Sequence, residues 1–254
     1  MTKSNARRLK RATPGCQVAG LIRWLSAGSA LLFLTACSSS SPEVPAGDVR
    51  VLDEEIVISG YISERTVEQI RAISNIANFN QVRVDVYDGE PLASMQLGYF
   101  IHSNELDIVV DGHCLGPCAN YLFTAANRKY LTDEAIVAWF GGALAESWTQ
   151  QNQRLLVPGI RHVAEQYMDA FLRRETRYFQ RIGVDQRVTS LGYHESSGCT
   201  DPNYEGFYYS IPQLLRFGIA DIQLAENNWR DAFNHYPEQF CQVDLSAEYK
   251  ALSP

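Results

Sequence analysis

Val82-Arg-Val-Asp-Val-Tyr-Asp-Gly-Glu-Pro-Leu-Ala-Ser-Met-Gln-Leu-Gly-Tyr-Phe-Ile-His-Ser-Asn-Glu-Leu-Asp-Ile-Val-Val110 reads as one strand–helix–strand unit, and the fold class follows from it. Residues 82–87 alternate apolar and polar side chains, the period of a strand with one buried face. Asp88-Gly89 is a turn signal. Residues 91–103 read as a helix with Leu92, Met95, Tyr99 and Phe100 inward. Residues 106–110 are an unbroken apolar run after Asp107, suited to a strand buried on both faces.

The same alternation extends outward. Residues 56–62, Ile-Val-Ile-Ser-Gly-Tyr-Ile, are rich in β-branched residues and read as a preceding strand. Ser63, followed by Glu64 and Thr66, caps a helix whose apolar face is Val67, Ile70, Ile73 and Ile76. Downstream, residues 116–127 look helical and Ala135-Ile-Val-Ala-Trp139 is a further strand, ending at Gly141-Gly142. Strand and helix thus alternate three times at crossover lengths, which predicts an α/β fold: a parallel sheet of repeated βαβ units. Residues 150–182 form a long helix, bent near its start by Pro158, with Ile160, Val163, Tyr167, Phe171 and Tyr178 on one face. Residues 190–206 are a polar loop, 211–217 a short helix and 219–223 a short strand. A small irregular C-terminal region follows. There is no internal repeat.

The N-terminus has a different character. Residues 1–23 hold Lys3, Arg7, Arg8, Lys10, Arg11 and Arg23 and no acid. Residues 24–36 are a short run of apolar and small residues, below the roughly 20 residues a membrane-spanning helix needs. A basic flank, a short apolar core and small residues at its end make a signal peptide. Its end, Leu34-Thr35-Ala36-Cys37, resembles the lipobox of bacterial lipoproteins. That resemblance implies cleavage before Cys37 and lipidation of its thiol. Each buried CH₂ contributes about 0.8 kcal/mol, so stable anchoring takes more than one chain. Ser38–Ser41 and Pro42 supply a polar tether. Ser rather than Asp at position 38 resembles the sorting signal for the outer membrane, which implies a protein facing the periplasm. The expected organisation is a signal peptide over 1–36, anchor and tether over 37–54, an α/β domain over 55–226 and an extension over 227–254.

Removing residues 1–36 takes away six of the 22 Lys+Arg and none of the 29 Asp+Glu, which leaves a net charge of −13. Such a chain is repelled by phosphate backbones, and no basic stripe interleaved with aromatics is present, so nucleic acid is not an expected partner. Of the six Cys, Cys16 leaves with the signal peptide and Cys37 carries lipid. Cys114, Cys118, Cys199 and Cys241 remain, an even number in an oxidising compartment. Three pairings exist, and Cys114–Cys118 with Cys199–Cys241 is the favoured one. The second bridge would close a loop of 43 residues and contribute about 4 kcal/mol by the chain-entropy relation.

Residues 110–129, Val-Asp-Gly-His-Cys-Leu-Gly-Pro-Cys-Ala-Asn-Tyr-Leu-Phe-Thr-Ala-Ala-Asn-Arg-Lys, followed by Ala135-Ile-Val-Ala-Trp-Phe-Gly-Gly142, resemble the Clp protease and crotonase-like superfamily, and more narrowly its secreted bacterial relatives. In those relatives a buried strand ends at a Cys, a nucleophilic Ser and a second Cys open the next helix, and the following strand ends with a catalytic His. The resemblance covers about 90 residues from Ile56 on, and extends loosely to Arg173–Gly183. It implies the crotonase-like βαβ fold, a cleft for acyl transfer, and self-association as trimers or rings.

The chemistry that the family needs is missing. A Ser hydroxyl must attack, a His must take its proton, and backbone N–H groups must hold the oxyanion. The Ser position falls on Gly116, counting from the first Cys, or on Pro117, counting back from Ala126. The His position falls on Phe140, or on Trp139 with a shift of one. The Gly-Gly oxyanion turn falls on Asp88-Gly89-Glu90-Pro91, where a carboxylate would disfavour a developing negative charge. The resemblance therefore implies a degenerate catalytic site on a retained scaffold, in a non-catalytic envelope lipoprotein that binds a protein or peptide or acts in envelope assembly. A serine-type hydrolase with displaced Ser and His, or a purely structural envelope factor, are the competing readings.

Other groups with chemical potential also have plainer roles. His113 with Cys114 and Cys118 suggests a Cys–His nucleophile or a zinc site, but neighbours on a strand face opposite ways, a disulfide would consume both thiols, and the fourth ligand is missing. His162 reads as a packing or surface histidine. His194, Glu195, Ser196 and Ser197 lie in a polar loop that could be catalytic or simply solvated. Asp85, Asp88 and Glu90 could attract a cation or a basic peptide, or be solvated acids. Tyr204, Phe207, Tyr208 and Tyr209 are a recognition surface or core. No metal and no cofactor are expected.

Overall fold

The structure, a computed structural model, describes residues 47–74, 78–144, 161–225, 233 and 239–245. The leader, Cys37, the lipobox, Ile76, Pro158 and Ile160 lie outside the described residues, as do the side chains of His162 and Val163. A run of parallel neighbours organises the main sheet: β2 (Glu55–Ile62), β3 (Gln81–Gly89), β4 (Asp107–Leu115), β5 (Lys129–Leu131) and β8 (Ile222–Leu224). The sheet order is β1-β2-β3-β4-β5-β8, with β1 (Asp48–Leu52) added antiparallel at one edge. β4 is long enough to take two parallel partners in succession. Its first half pairs with β5 and its second half, His113–Leu115, with β6 (Ile136–Ala138). The α/β class and the mostly parallel sheet of βαβ units are as expected.

Helices α1 (Glu64–Arg71), α2 (Pro91–Ser103) and α3 (Cys118–Phe123) connect these strands. Val67 and Ile70 of α1 and Leu97 and Ile101 of α2 share one core with Ile56, Ile58, Val82, Val84, Ile108 and Val110. Ser63 caps α1 as its sequence suggests, its own N–H donating to the Thr66 hydroxyl at 3.1 Å. α3 is wound as a π-helix. The Thr124 hydroxyl donates to the Asn120 carbonyl and the Tyr178 hydroxyl to the Tyr121 carbonyl, both at 2.5 Å. Side chains thereby satisfy carbonyls that a widened turn leaves under-bonded.

Several expectations need correction. Asp88-Gly89 is no turn: both residues continue β3, paired with Tyr61 and Ile62, because the partner strand is long enough to hold them. The inward face of α2 is Ala93, Ser94, Met95, Leu97, Gly98 and Ile101, with Leu92, Tyr99 and Phe100 only half-buried. Small residues lie inward there, so a reading keyed to large side chains is rotated. α1 stops at Arg71, leaving Ile73 beyond its end. β1 occupies part of the expected tether, so the sheet begins before residue 55. Its charged, edge-strand composition hides the alternation of Val49 and Val51.

The C-terminal half packs against this sheet's end. α4 (Arg161–Ile182) buries Tyr178 and Phe179, whereas Tyr167 is 59% exposed, contrary to the expected face. After a single-turn helix at Gln186–Thr189, two more at Leu191–Tyr193 and Glu195–Ser197 take up the first part of the expected loop, and 198–205 remain loop. β7 (Gly206–Tyr208) and β9 (Phe240–Gln242) form a separate parallel pair, with α5 (Ile211–Arg216) following β7. β9 and the buried Val243 and Leu245 make the expected C-terminal extension part of the packed domain. An antiparallel bridge from Trp139 to Phe207 ties this unit to the end of β6.

Candidate functional site

Parallel strands put their carboxyl ends on one edge, where open α/β sheets bind ligands. Here the register places Ile62 beside Gly89, Val86 beside Cys114, and Leu115 beside Ala138. Gly89, Gly116 and Phe140 thus all lie where strands of this sheet run out. Immediately past β4, the Gly116 N–H donates to the Ala138 carbonyl at 2.9 Å, and the Gly116 carbonyl accepts from Asn120 N–H at 2.8 Å. Gly116 has φ +52, the left-handed region that glycine enters without steric cost. The Cys114–Cys118 disulfide spans it, with 5.1 Å between Cα atoms. The second bridge is Cys199–Cys241, so both favoured pairings are present.

Gly116 and Phe140 touch. A Cβ on Gly116 would lie 3.0 Å from Cδ2 of Phe140 and 3.6 Å from its Cγ. The other edge of the ring lies against Gly206, where a Cβ would strike it. Phe240 stacks nearly parallel, with ring centroids 6.3 Å apart. Two glycines and an aromatic therefore form a flat slot filled by the Phe140 ring. Trp139 points the other way, fully buried against Phe123 and Tyr209. Of the alternatives left open by the sequence, Gly116 and Phe140 are the pair in contact. Neither side carries a group that attacks or accepts a proton.

At Gly89 the backbone donors are already taken. Gly89 N–H donates to its neighbour's carboxylate, Asp88 Oδ1, at 2.7 Å, and Glu90 N–H donates to the Ile62 carbonyl at 2.7 Å. An oxyanion would have to displace a carboxylate from the first. Asp85 does not join Asp88 and Glu90. Its Oδ1 accepts from His113 N–H at 2.9 Å and lies 3.0 Å from His113 Nδ1, with Tyr87 packed on the imidazole. His113 and Cys114 diverge as the strand period requires, Cys114 being buried in its disulfide. Among the described residues no three His, Cys, Asp or Glu side chains are grouped to hold a metal.

A buried polar cluster that sequence reading missed holds the segment after Phe140. Asn120 Nδ2 donates to the Gly141 carbonyl at 2.7 Å, and the Tyr193 hydroxyl donates to the Phe140 carbonyl at 2.7 Å. Glu175 of α4, fully buried, accepts from Tyr121 Oη at 2.6 Å, Gln186 Nε2 at 2.6 Å and Ala143 N–H at 2.9 Å. Burial pushes its carboxyl above the usual range, against the opposing pull of those three donors. Burial, then the neighbouring carboxylate, raises the Tyr121 hydroxyl well above its ordinary value. The signal was present: an acid set between Phe171 and Tyr178 in an otherwise apolar stripe.

His194 Nδ1 lies 2.8 Å from Ser196 Oγ and accepts from Ser196 N–H at 3.3 Å. The pair is exposed and forms the cap of a single helical turn. Ser197 is buried and donates to the Gly192 carbonyl at 2.7 Å. Phe207, Tyr208 and Tyr209 are core. Tyr204, with Tyr193, Asp201, Gly206 and Phe207, lines a hollow of about 200 Å³ beside the Phe140 slot, below the 300–1,000 Å³ usual for small-molecule pockets.

No family model matches the chain, and no curated protein matches it. Among solved structures, a mutant of the 1510-N membrane-bound stomatin-specific protease is 13% identical over 67% of this chain and 78% of that one, with a TM-score of 0.41. An enoyl-CoA hydratase from Bacillus halodurans is 12% identical over 75% and 78%, with a TM-score of 0.36. A methylmalonyl-CoA decarboxylase is 10% identical over 35% and 47%, with a TM-score of 0.27. The chain spans about half the length of the decarboxylases and hydratases that head the comparison.

Proposed function

We propose that this chain is a lipid-anchored cell-envelope protein whose Clp-protease-like domain does not catalyse acyl transfer and serves instead to bind a protein or peptide segment. The observation that carries this reading is the contact of Gly116 with Phe140. The positions matched to nucleophile and base meet, but as a hydrogen atom and a phenyl ring. The Gly89 N–H held by Asp88 and the disulfide that pins the loop on both sides of Gly116 support it. The hollow beside Phe140, flanked by Tyr193 and Tyr204, is small enough for a single side chain of a partner, which favours a peptide over a free metabolite.

The geometry is tested by rebuilding the pair. In the slot of Phe140, a histidine ring would bring a nitrogen within reach of a hydroxyl on residue 116. A folded Gly116→Ser, Phe140→His variant should be labelled by a fluorophosphonate probe at residue 116, and Gly116→Ser alone should not. A folded double variant that stays unlabelled removes support for this register. The anchor is tested separately: Cys37→Ser should leave the protein unprocessed or move it from the membrane to the soluble fraction. Unchanged membrane recovery with normal processing would exclude the lipid.

A second reading rests on the 2.8 Å approach of His194 to Ser196. In it the chain is a serine-type hydrolase with displaced groups, and Ser196 is the residue a fluorophosphonate would label.

A further inference from the structure

The opposite edge of the sheet holds a group that the degenerate site does not use. Lys129 opens β5, its N–H donating to the Asp221 carbonyl at 2.9 Å. The residue is only 3% exposed. Its ammonium donates to the Ala126 carbonyl at 2.7 Å. Among the described residues neither Asp107 nor Asp221 comes within ion-pair distance of it, and Asp107 is committed to Arg128 and Asn127. A buried ammonium with one acceptor for three donors is unusual, since such cations normally find a paired carboxylate.

The side chain borders a cavity of about 470 Å³, also lined by His102, Glu105, Thr124, Asn127 and Asp221. Its size is that of a small-molecule site. Glu105 and Asp221, both exposed, place carboxylates in its wall, which repel anions and accept hydrogen bonds from hydroxyls. Burial, offset in part by Asp221 and Asp107, lowers the amine to about 8, so an appreciable neutral fraction exists near neutral pH.

We propose that Lys129 is a nucleophilic amine that forms an imine with a small, uncharged, hydroxylated aldehyde or ketone admitted to this cavity. The ammonium first loses a proton to solvent. The Nζ lone pair then attacks the carbonyl carbon, and the amine proton passes to the carbonyl oxygen to give a carbinolamine. Loss of that oxygen as water leaves the C=N bond, and hydrolysis reverses the step without an oxidant or reductant.

Beyond residue 37 the only lysines are Lys129 and Lys250, so each molecule carries its own control. The processed protein is incubated with glyceraldehyde and sodium cyanoborohydride, which traps the imine, and the adducts are located by peptide mass mapping. At pH 7 Lys129 should react about tenfold faster than Lys250, because its larger neutral fraction outweighs its lower basicity. Its rate should turn over near pH 8. Asp221→Asn should shift that midpoint down by removing a charge that stabilises the ammonium. Glyoxylate, an anionic aldehyde, should label Lys129 more slowly than glyceraldehyde. Equal or faster labelling of Lys250, a midpoint above pH 10, or glyoxylate outpacing glyceraldehyde would overturn the proposal, and each is read on the wild-type fold.

Discussion

Glu175→Leu lowers the stability of the folded protein by about 3 kcal/mol, because three donors lose the buried carboxylate they share at about 1 kcal/mol each. The donors are Tyr121 Oη, Gln186 Nε2 and the Ala143 N–H; Tyr121 and Ala143 are buried and Gln186 is half-buried. For a domain of this size the loss corresponds to roughly 6–12 °C in Tm. The pH dependence has a definite sign. Burial holds the Glu175 carboxyl above its ordinary value of 4.5, so the native state binds this proton more readily than the unfolded chain. That contribution is fully present below pH 4.5 and is lost as the pH rises through the raised native value. The deficit of the variant, measured by urea unfolding, is therefore largest in mild acid and narrows as the pH rises. A deficit that is flat or widens would mean that the carboxyl is not desolvated as described.

The second large effect belongs to Cys199–Cys241. Removing both sulfurs with Cys199→Ala and Cys241→Ala should cost about 4 kcal/mol, the value expected for a cross-link at this sequence separation. The bridge spans 42 positions, against 4 for Cys114–Cys118. The shorter bridge is worth about 2 kcal/mol by the same relation. Cys199–Cys241 joins the loop before β7 to β9, and among the described residues these two strands make up their small sheet. Such a pair has little independent stability. Loss of the bridge should therefore release β9 and the buried Phe240, Val243 and Leu245, seen as faster proteolysis of the C-terminal segment. Comparison of the two double variants by denaturant unfolding checks the ranking. Equal costs would contradict the loop-entropy account.

The strand–helix order was legible because period-2 alternation in Val82, Val84 and Val86 and the buried run at Ile108–Val110 carry it directly. What escaped was set by partners rather than by local pattern. Gly89 belongs to a strand because Ile62 is there to pair with it. β5 is three residues long and exists because β4 and β8 flank it. Tyr167 fits an apolar helical stripe, yet among the described residues its ring packs only on Phe171 and it stays largely exposed. At the candidate site the residue types at 116, 117, 139 and 140 were legible, but two registers stayed open. Side-chain direction at the strand end separates them: Trp139 turns into the core, so Phe140 turns to Gly116. Asp88 capping the Gly89 N–H, and the polar knot around Glu175, depend on contacts between distant elements that spacing alone does not encode.

The central claim of the proposal is that no serine of this chain acts as an acyl-transfer nucleophile. Saturating fluorophosphonate treatment of the wild-type protein, read by intact mass, tests it most directly. The account predicts an unmodified mass. A single stoichiometric adduct on one serine, Ser196 foremost, would contradict it.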